Sequence, residues 1–139
     1  MVIFLRQVTV EDWNYVLELR NDSEYRSNFY QQYEISQEEH IDYMNKQEKN
    51  PTFFNWIVMD ENERVGYVRI LDEDISIIID KKHQNHGIGS IVLSLVEEEA
   101  KILGIKKLVG RIMTHNIASQ KAFQKNNFKL KMYWYEKEI

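Results

Sequence analysis

Apolar positions recur along the chain with two different periods, and these periods predict its strands and helices. Strand-like runs occupy residues 2–7, 54–60, 64–71, 74–80, 106–113 and 128–137, the last as one strand or a hairpin. Helical spacing predicts helices that open near Thr9 and cover residues 36–47, 88–103 and 116–125. The resulting order of strand, two helices, three strands, helix, strand, helix and strand predicts one mixed α/β sheet flanked by helices.

Several local signals define where these elements begin and end. Ser36 and Glu39 form the spacing of a capping box at a helix start, and Thr9 with Asp12 resembles one. Gly104 is placed to end the helix that begins at residue 88. The polar turn 60–63 between two apolar runs predicts a hairpin, and the β-branched run after it predicts a central, buried strand.

Composition predicts a small globular domain. A length of 139 residues with 43% apolar residues predicts a single domain over 1–139. The absence of Cys excludes disulfides, thiolate nucleophiles and Cys-based zinc sites. Because no apolar stretch approaches the length of a membrane helix and the first residues lack signal-peptide character, we expect a cytoplasmic protein without membrane partners.

The charges are unevenly distributed. Residues 1–100 carry nine Lys/Arg and twenty Asp/Glu, a net of −11, whereas residues 101–139 carry nine Lys/Arg and two Asp/Glu, a net of +7. The net negative charge of residues 1–100, which we call the acidic front, argues against a nucleic-acid partner. The basic end suits a small phosphorylated ligand, although solvated surface charge explains any single lysine equally well.

The segment with the most chemical content is the loop 81–90 between the β-branched strand and the long helix. It contains Gln84-x-x-Gly87-x-Gly89. Glycines let the backbone approach a ligand closely, and a helix start offers unpaired N–H groups at the positive end of its dipole. We therefore predict that this loop cradles an anion, with a pyrophosphate as the natural guest; a plain strand-to-helix turn is the simpler alternative.

Two familiar phosphate-binding motifs do not fit this loop. The NTPase phosphate loop needs a Lys directly after its last Gly, where Ser90 stands. The dinucleotide fingerprint needs a third Gly, where Val92 stands, and an acidic residue about twenty positions on, where Val109 stands. The remaining pattern, [QR]-x-x-G-x-[GA], resembles the pyrophosphate-binding signature of the GCN5-related N-acetyltransferase (GNAT) superfamily.

A second segment strengthens this resemblance. Residues 116–128 are similar to the later superfamily motif N-x-x-[SA]-x-x-x-[YF]-x-x-x-G-F and follow the next predicted strand. The resemblance covers essentially the whole chain and implies a single-domain GNAT fold, with a mixed, mostly antiparallel sheet of six to seven strands and about four helices. It also implies acetyl-CoA as cofactor, bound by Ile77, Ile78, Ile79, Gln84, Asn85, His86, Gly87, Ile88, Gly89, Ser90, Asn116, Ser119 and Phe123. Asn116 is equally suited to be a helix N-cap.

The chain departs from the family at two positions of this motif. Phe123 stands where many members have a Tyr that protonates the leaving thiolate, so this role is absent or filled elsewhere. Asn127 stands where Gly is usual, and Asn tolerates the left-handed conformation that the turn needs.

The reaction implied by the resemblance is acetyl transfer to a primary amine, which must lose a proton before it attacks the thioester. Asp74, at the start of the strand that would face the cofactor, is the first candidate for the base, and Glu73 is the second. A polar turn without catalytic role is about as good an explanation of these acids. In the family the backbone of 77–79 is exposed to the cofactor where two strands splay apart.

The acceptor is indicated only by the first third of the chain. The runs at 19–26 and 35–40 are similar to a branch that N-acetylates nucleotide-linked 4-amino-4,6-dideoxy sugars in pseudaminic-acid-type biosynthesis. On this basis the acceptor side would use Arg20, Asn21 and Tyr30, and it would also use Tyr67 and Arg69, which lie on the strand before the one that faces the cofactor. The acidic front instead favours a cationic acceptor such as a polyamine or a protein N-terminus.

Other possibilities remain open at the level of sequence. A non-catalytic acyl-CoA sensor fits the missing Tyr, and a non-enzymatic interaction module is the third option. His83 and His86 are loop residues in a chain that offers no regular metal-ligand spacing, so no metal is expected. His40 is interpreted as exposed rather than substrate-facing, and the aromatic end of the chain leaves monomer and homodimer both open.

Overall fold

The computed structural model describes residues 1–22 and 33–139. It contains five strands and four α-helices within these ranges. The strands are β1 (Ile3–Gln7), β2 (Phe53–Asp60), β3 (Glu63–Leu71), β4 (Asp74–Ile79) and β5 (Val109–Gly110). The helices are α1 (Trp13–Asn21), α2 (Gln37–Glu48), α3 (Ile88–Ile102) and α4 (Ile117–Lys125), with short 3-10 turns at Val10–Asp12 and Lys81–His83.

The strands form one sheet in the order β1-β2-β3-β4-β5. The first four pair antiparallel, and β4 pairs parallel to β5. The predicted mixed, mostly antiparallel α/β architecture is therefore confirmed. The sheet has five strands in the described residues rather than six to seven.

Side chains alternate between the two faces of this sheet and build two cores. On one face, Val58, Val68 and Ile70 pack against α3 through residues such as Val92 and Val96. On the other face, β2 and β3 pack against α1. This second core contains Val16, Leu19, Ile57, Met59, Tyr67 and Ile78. Because the period along a strand is two, Arg69 lies on the same face as Tyr67, beneath the first two helices.

The parallel pair β4–β5 is held together at one end only. Asp74 pairs with Val109 and Ile75 pairs with Gly110, and the ladder stops there. The predicted strand 106–113 is thus reduced to two residues, since β5 diverges from β4 after this point. For the same reason β4 is not the fully buried strand expected from its β-branched run: of its six residues only Ile75 and Ile78 are buried.

Several turns match the sequence signals that predicted them. The Ser36 side chain accepts the Glu39 backbone N–H at 3.1 Å, which confirms Ser36 as the N-cap of α2, and both halves of a capping box are present at Thr9 and Asp12. Gly104 follows the end of α3 with φ +78°, the left-handed conformation for which glycine is favoured. Asn127 adopts φ 67°, as expected for the residue that replaces the usual glycine.

The predicted strand or hairpin at residues 128–137 is wrong for this structure. The chain beyond Phe128 has no regular secondary structure, and Leu130, Met132 and Trp134 are mostly exposed. Alternating apolar side chains favour a strand only when a neighbouring strand offers its hydrogen bonds. Here β5 offers two residues and then diverges. Within the described ranges, no helix combines the length and the apolar character that a membrane crossing requires.

Candidate active site

The loop 81–90 joins β4 to α3 and places its glycines at the helix start. Gly87 is the N-cap of α3 with φ +76°, and Asn85 two residues earlier has φ 65°. The Gly87 carbonyl accepts the Ile91 N–H at 3.3 Å, the first hydrogen bond of the helix. The N–H groups of Ile88, Gly89 and Ser90 precede it, so helix geometry leaves them without an acceptor inside the helix.

The space in front of this helix start is open. A methyl group added at Gly87 or Gly89 would meet no atom within 4 Å. These glycines are therefore not required by packing against the described residues, and at Gly87 the positive φ supplies a second reason for glycine. An open approach to free N–H groups at a positive helix end is the arrangement that binds a pyrophosphate.

Side chains on either side hold the loop in place. Gln84 Nε2 donates to the Ile79 carbonyl at 3.3 Å, and the Lys82 N–H donates to Asp80 Oδ1 at 3.1 Å. On the helix side, Asn126 Nδ2 donates to the carbonyl and to Oγ of Ser90, at 3.2 and 2.9 Å. The C-terminal end of α4 is thus fastened to the first turn of α3, which fixes the two predicted cofactor-binding segments relative to each other.

The edge of β4 beyond its short pairing with β5 continues this site. The Asp80 N–H donates to the Val65 carbonyl at 2.8 Å, so even-numbered residues of β4 exchange hydrogen bonds with β3. The backbone groups of Ile77 and Ile79 consequently point to the opposite side, where β5 has diverged. Of the three predicted backbone contacts, Ile77 and Ile79 face this gap, whereas the backbone of Ile78 is used by β3 and its side chain lies in the core under α1.

The predicted residues of α4 have structural partners as well. Asn116 is the N-cap of this helix, and its Oδ1 accepts the Ser119 N–H at 3.2 Å. The ring of Phe123 lies in an edge-to-face contact with Phe128, with ring centres 4.8 Å apart, and it covers Gly110 so closely that a methyl group there would overlap it. The Phe123 ring thus packs directly against Gly110 of the short strand β5.

The two candidate bases differ in how they are held. Asp74 Oδ2 accepts from Arg69 Nη1 at 2.9 Å, and Asp74 Oδ1 accepts from Arg111 Nε at 3.0 Å. Glu73 is more exposed, has φ 74°, and lies 3.8 Å from Lys107 Nζ. Asp74 is three residues from Ile77 on an extended strand, which corresponds to about 10 Å. A proton taken from an amine near Ile77 would therefore reach Asp74 through water.

On the face beneath α1 and α2, polar side chains from four elements meet in what we call the acceptor-side cluster: Arg20, His40, Tyr43, Asn55, Tyr67 and Arg69. Arg20 Nη1 lies 3.4 Å from His40 Nδ1, and its guanidinium lies 5.0 Å from the centre of the Tyr43 ring. Burial is the main cause that lowers the pKa of Arg20, and nearby Arg69 acts in the same direction. Among residues 1–22 and 33–139, no carboxylate forms an ion pair with Arg20.

Tyr67 lies at the bottom of this cluster. Its hydroxyl accepts from Asn55 Nδ2 at 3.1 Å, and burial raises its pKa to about 12. Tyr67 therefore stays protonated and retains its own hydrogen for donation. Neighbouring Arg69 also donates to the Asp74 carbonyl at 2.9 Å, so the position of its guanidinium is fixed by the start of β4.

The remaining residues predicted to bind the acceptor are not part of this cluster. The amide of Asn21 is used by the backbone of Ile35, through bonds of 2.7 and 2.8 Å that pin the approach to α2. Tyr30 lies outside the described residues. His40 was expected to be exposed but is only 1% exposed, because α1 covers it. His40 ends the run 35–40 that resembles the amino-sugar branch, whereas Tyr43 and Asn55 belong to no motif and are revealed only by their proximity in the fold.

No group of three or more potential metal ligands occurs within the part of the chain that the structure describes. The polar chemistry of the site is thus divided between the glycine loop with the β4 edge and the acceptor-side cluster.

Known proteins resemble this chain in sequence and fold. A sequence model of the acetyltransferase (GNAT) domain matches residues 3–129. A domain from Methanocaldococcus jannaschii is 28% identical over 96% of this chain and 92% of its own, with a TM-score of 0.84. Spermidine N-acetyltransferase from Vibrio cholerae, solved with CoA and spermine, is 19% identical over 99% and 86%, with a TM-score of 0.87. A ribosomal alpha-N-protein acetyltransferase in complex with coenzyme A is 20% identical over 95% and 82%, with a TM-score of 0.80.

The family model matches most of the chain. Membership of this family would explain three features together: the open glycine loop, the free N–H groups at the start of α3, and the pairing of β4 with β5 at one end only. The residues present suit a pyrophosphate-bearing cosubstrate at this place. The chain belongs to the acetyltransferase (GNAT) domain family and is an acetyl-CoA-dependent N-acetyltransferase.

Proposed function

We propose that this enzyme acetylates the primary amine of an acceptor that also carries an anionic group, and that the acceptor is a nucleotide-linked amino-deoxy sugar acetylated on its 4-amino group. The observation that carries this proposal is Arg20. Its guanidinium is partly buried in the acceptor-side cluster and forms no ion pair with any carboxylate of the described residues.

Partial burial of a charge is costly, so a guanidinium that has no carboxylate partner among the described residues calls for an explanation. A diphosphate from the acceptor would supply the missing negative charge, and arginine suits phosphate because its planar fork donates two hydrogen bonds at once. Arg69 lies near enough to influence Arg20, and its own charge is already paired with Asp74. The ring of Tyr43 offers an apolar surface beside them.

Residues on the two sides of β4 then have separate roles in acetyl transfer. Bound acetyl-CoA supplies the thioester, and the free N–H groups at the start of α3 hold its pyrophosphate. The backbone N–H of Ile77, which faces the gap beside β5, is placed to donate to an oxyanion that forms there. Asp74 is the first candidate to receive the proton of the amine through water, and Glu73 is the second. Phe123 has no proton for the leaving thiolate, so solvent or another group has this role.

A second acceptor class, polyamines or protein N-termini, is favoured by a different observation. Residues 1–100 carry a net charge of −11, which would attract a cationic amine. The spermidine and ribosomal-protein acetyltransferases named above share the fold. At 19 and 20% identity they support the fold alone. We rank this class second because the acceptor-side cluster itself contains the cations Arg20 and Arg69.

A thiol-release assay with matched acceptors tests the proposal. The set contains a nucleotide-linked 4-amino sugar, the same amino sugar without its nucleotide, spermidine, and a short peptide with a free N-terminus. We expect the nucleotide-linked sugar to have kcat/KM at least tenfold above that of the free sugar. Equal turnover of both sugars, or preferred turnover of spermidine or the peptide, would contradict it.

A further inference from the structure

His40 is a buried imidazole in which both nitrogens have partners. It belongs to α2, is 1% exposed, and touches residues of α1 on both sides of its ring. Nε2 lies 2.8 Å from the Trp13 carbonyl, and Nδ1 lies 3.4 Å from Arg20 Nη1. Neither contact involves the glycine loop or the β4 edge, so cofactor binding does not explain this histidine.

The two partners define the proton arrangement of the ring. A carbonyl oxygen only accepts hydrogen bonds and a guanidinium only donates them. Nε2 must therefore carry the hydrogen that is donated to Trp13, and Nδ1 must be the lone pair that accepts from Arg20. Burial is the largest cause that lowers the pKa of His40, and Arg20 acts in the same direction. Both effects favour this neutral form.

We infer that His40 is a positioning residue that holds the Arg20 guanidinium against the Tyr43 ring, so that its remaining donors are presented to the anionic group of the acceptor. This inference rests on the proposed function, because it takes Arg20 as the group that binds the acceptor. One Arg20 donor is used by His40. A guanidinium has five donors in all, and within residues 1–22 and 33–139 the others have no acceptor, so they suit a phosphate or carboxylate.

The arrangement makes acceptor binding sensitive to acid. Protonation would place a second hydrogen at Nδ1, directly opposite the Arg20 donor, and would replace an attraction by the repulsion of two cations. Among the described residues, the groups that face His40 and Arg20 are Tyr43 on α2, Tyr67 and Arg69 on β3, and Tyr33 before α2. Since none of these is a carboxylate, none would stabilise the imidazolium. We expect KM for the acceptor to rise as the pH falls below the ordinary imidazole range near 6.5, with KM for acetyl-CoA unchanged by this step.

A matched pair of substitutions separates the two contacts of the ring. The shorter amide of His40→Asn lies near the position of Nδ1 and can accept from Arg20. The longer amide of His40→Gln reaches the position of Nε2 and can donate to the Trp13 carbonyl. We expect His40→Gln to raise KM for the nucleotide-linked sugar about tenfold and His40→Asn to raise it less than threefold, with similar melting temperatures for the two variants. Equal effects of both variants would overturn the inference.

Two further measurements distinguish this inference from a merely structural role and from failure of the proposed function. If His40 acts through Arg20, His40→Gln has no further effect on acceptor KM in an Arg20→Ala background, whereas a structural defect would persist there. Nitrogen NMR of the wild-type imidazole reads the tautomer without any acceptor, and we expect a neutral ring protonated at Nε2 at pH 7. An Nδ1-protonated or charged ring would overturn the inference whatever the acceptor is, while the expected tautomer with no preference for anionic acceptors would refute only the proposed function.

Discussion

The cofactor side and the acceptor side of this enzyme are built in opposite ways. The proposed cofactor side comprises residues 74–90 and α4, and residues 74–90 offer mainly backbone groups: the edge of β4 and the N–H groups at the start of α3. The acceptor side brings together side chains from α1, α2, β2 and β3. We expect the backbone groups to bind acetyl-CoA and the side chains, which vary more readily on one fold, to define the acceptor.

Asp74 lies where the two sides meet, and its substitution has the largest expected effect. If it accepts the proton of the amine, Asp74→Asn lowers kcat by about 10²-fold or more while KM for acetyl-CoA stays the same. Steady-state kinetics over a range of pH measure this. The control is Glu73→Gln, for which we expect a change below threefold. An unchanged kcat with a raised acceptor KM would assign Asp74 to the support of Arg69 instead.

The glycine loop is the next most sensitive place. Replacing both Gly87 and Gly89 by Val puts side chains into the open approach to the helix start, and we expect CoA to bind about 10- to 100-fold more weakly. Calorimetric titration measures the affinity. Gly104→Ala is the matched control, because Gly104 has nearly the same φ, +78°, and equally open surroundings but lies at the other end of α3. It should lower stability without weakening CoA, and a double variant that binds CoA normally would refute the cradle.

Substitution of Arg20 tests acceptor binding without affecting the cofactor side. We expect Arg20→Ala to raise KM for the nucleotide-linked sugar about 10- to 50-fold, the cost of a lost charged hydrogen bond, with acetyl-CoA affinity and kcat nearly unchanged. Arg20→Lys keeps the charge but not the planar fork and should fall between wild type and Ala. A parallel loss of CoA affinity would show that the two sides are not separate.

A smaller effect concerns the support of the cofactor side. Gly110→Ala forces the Phe123 ring to move, because a methyl group at Gly110 would overlap it. Overpacking of this kind costs about 1–3 kcal/mol of unfolding free energy. Urea denaturation should show this loss, with acceptor KM unaffected. Unchanged stability would mean that Phe123 does not hold β5 in place.

The smallest expected effect is on the free energy of unfolding. It arises at Asp12, away from the cofactor side and the acceptor side, and appears only at acidic pH. Asp12 is buried, and hydrogen bonds from Arg6 are the main cause that lowers its pKa from 3.8 to about 2. Because the folded pKa is depressed, the stabilisation is complete above about pH 4 and is lost as the pH falls towards 2. The expected loss is about 2 kcal/mol. Urea denaturation at pH 5 and 2.5 should show this step in the wild type and a smaller one in Asp12→Asn.

The same contrast explains how much the sequence predicts. The glycine loop, the N-cap at Ser36, the end of α3 at Gly104 and the left-handed Asn127 depend on neighbours in sequence, and all are present as predicted. The contact between Arg20 and His40 joins residues twenty positions apart on two helices, so no local pattern contains it. The strand expected at 128–137 failed for a related reason: its alternating side chains describe a strand only if an adjacent strand is there to pair with it.

The central claim is that the start of α3 holds the pyrophosphate of CoA, and the most direct measurement is a titration of the labelled protein with CoA followed by backbone amide NMR. We expect the largest shifts at the amides of residues 87–90, with much smaller shifts at Arg20 and His40. Largest shifts in the acceptor-side cluster or elsewhere, with the amides of 87–90 unmoved, would contradict the account.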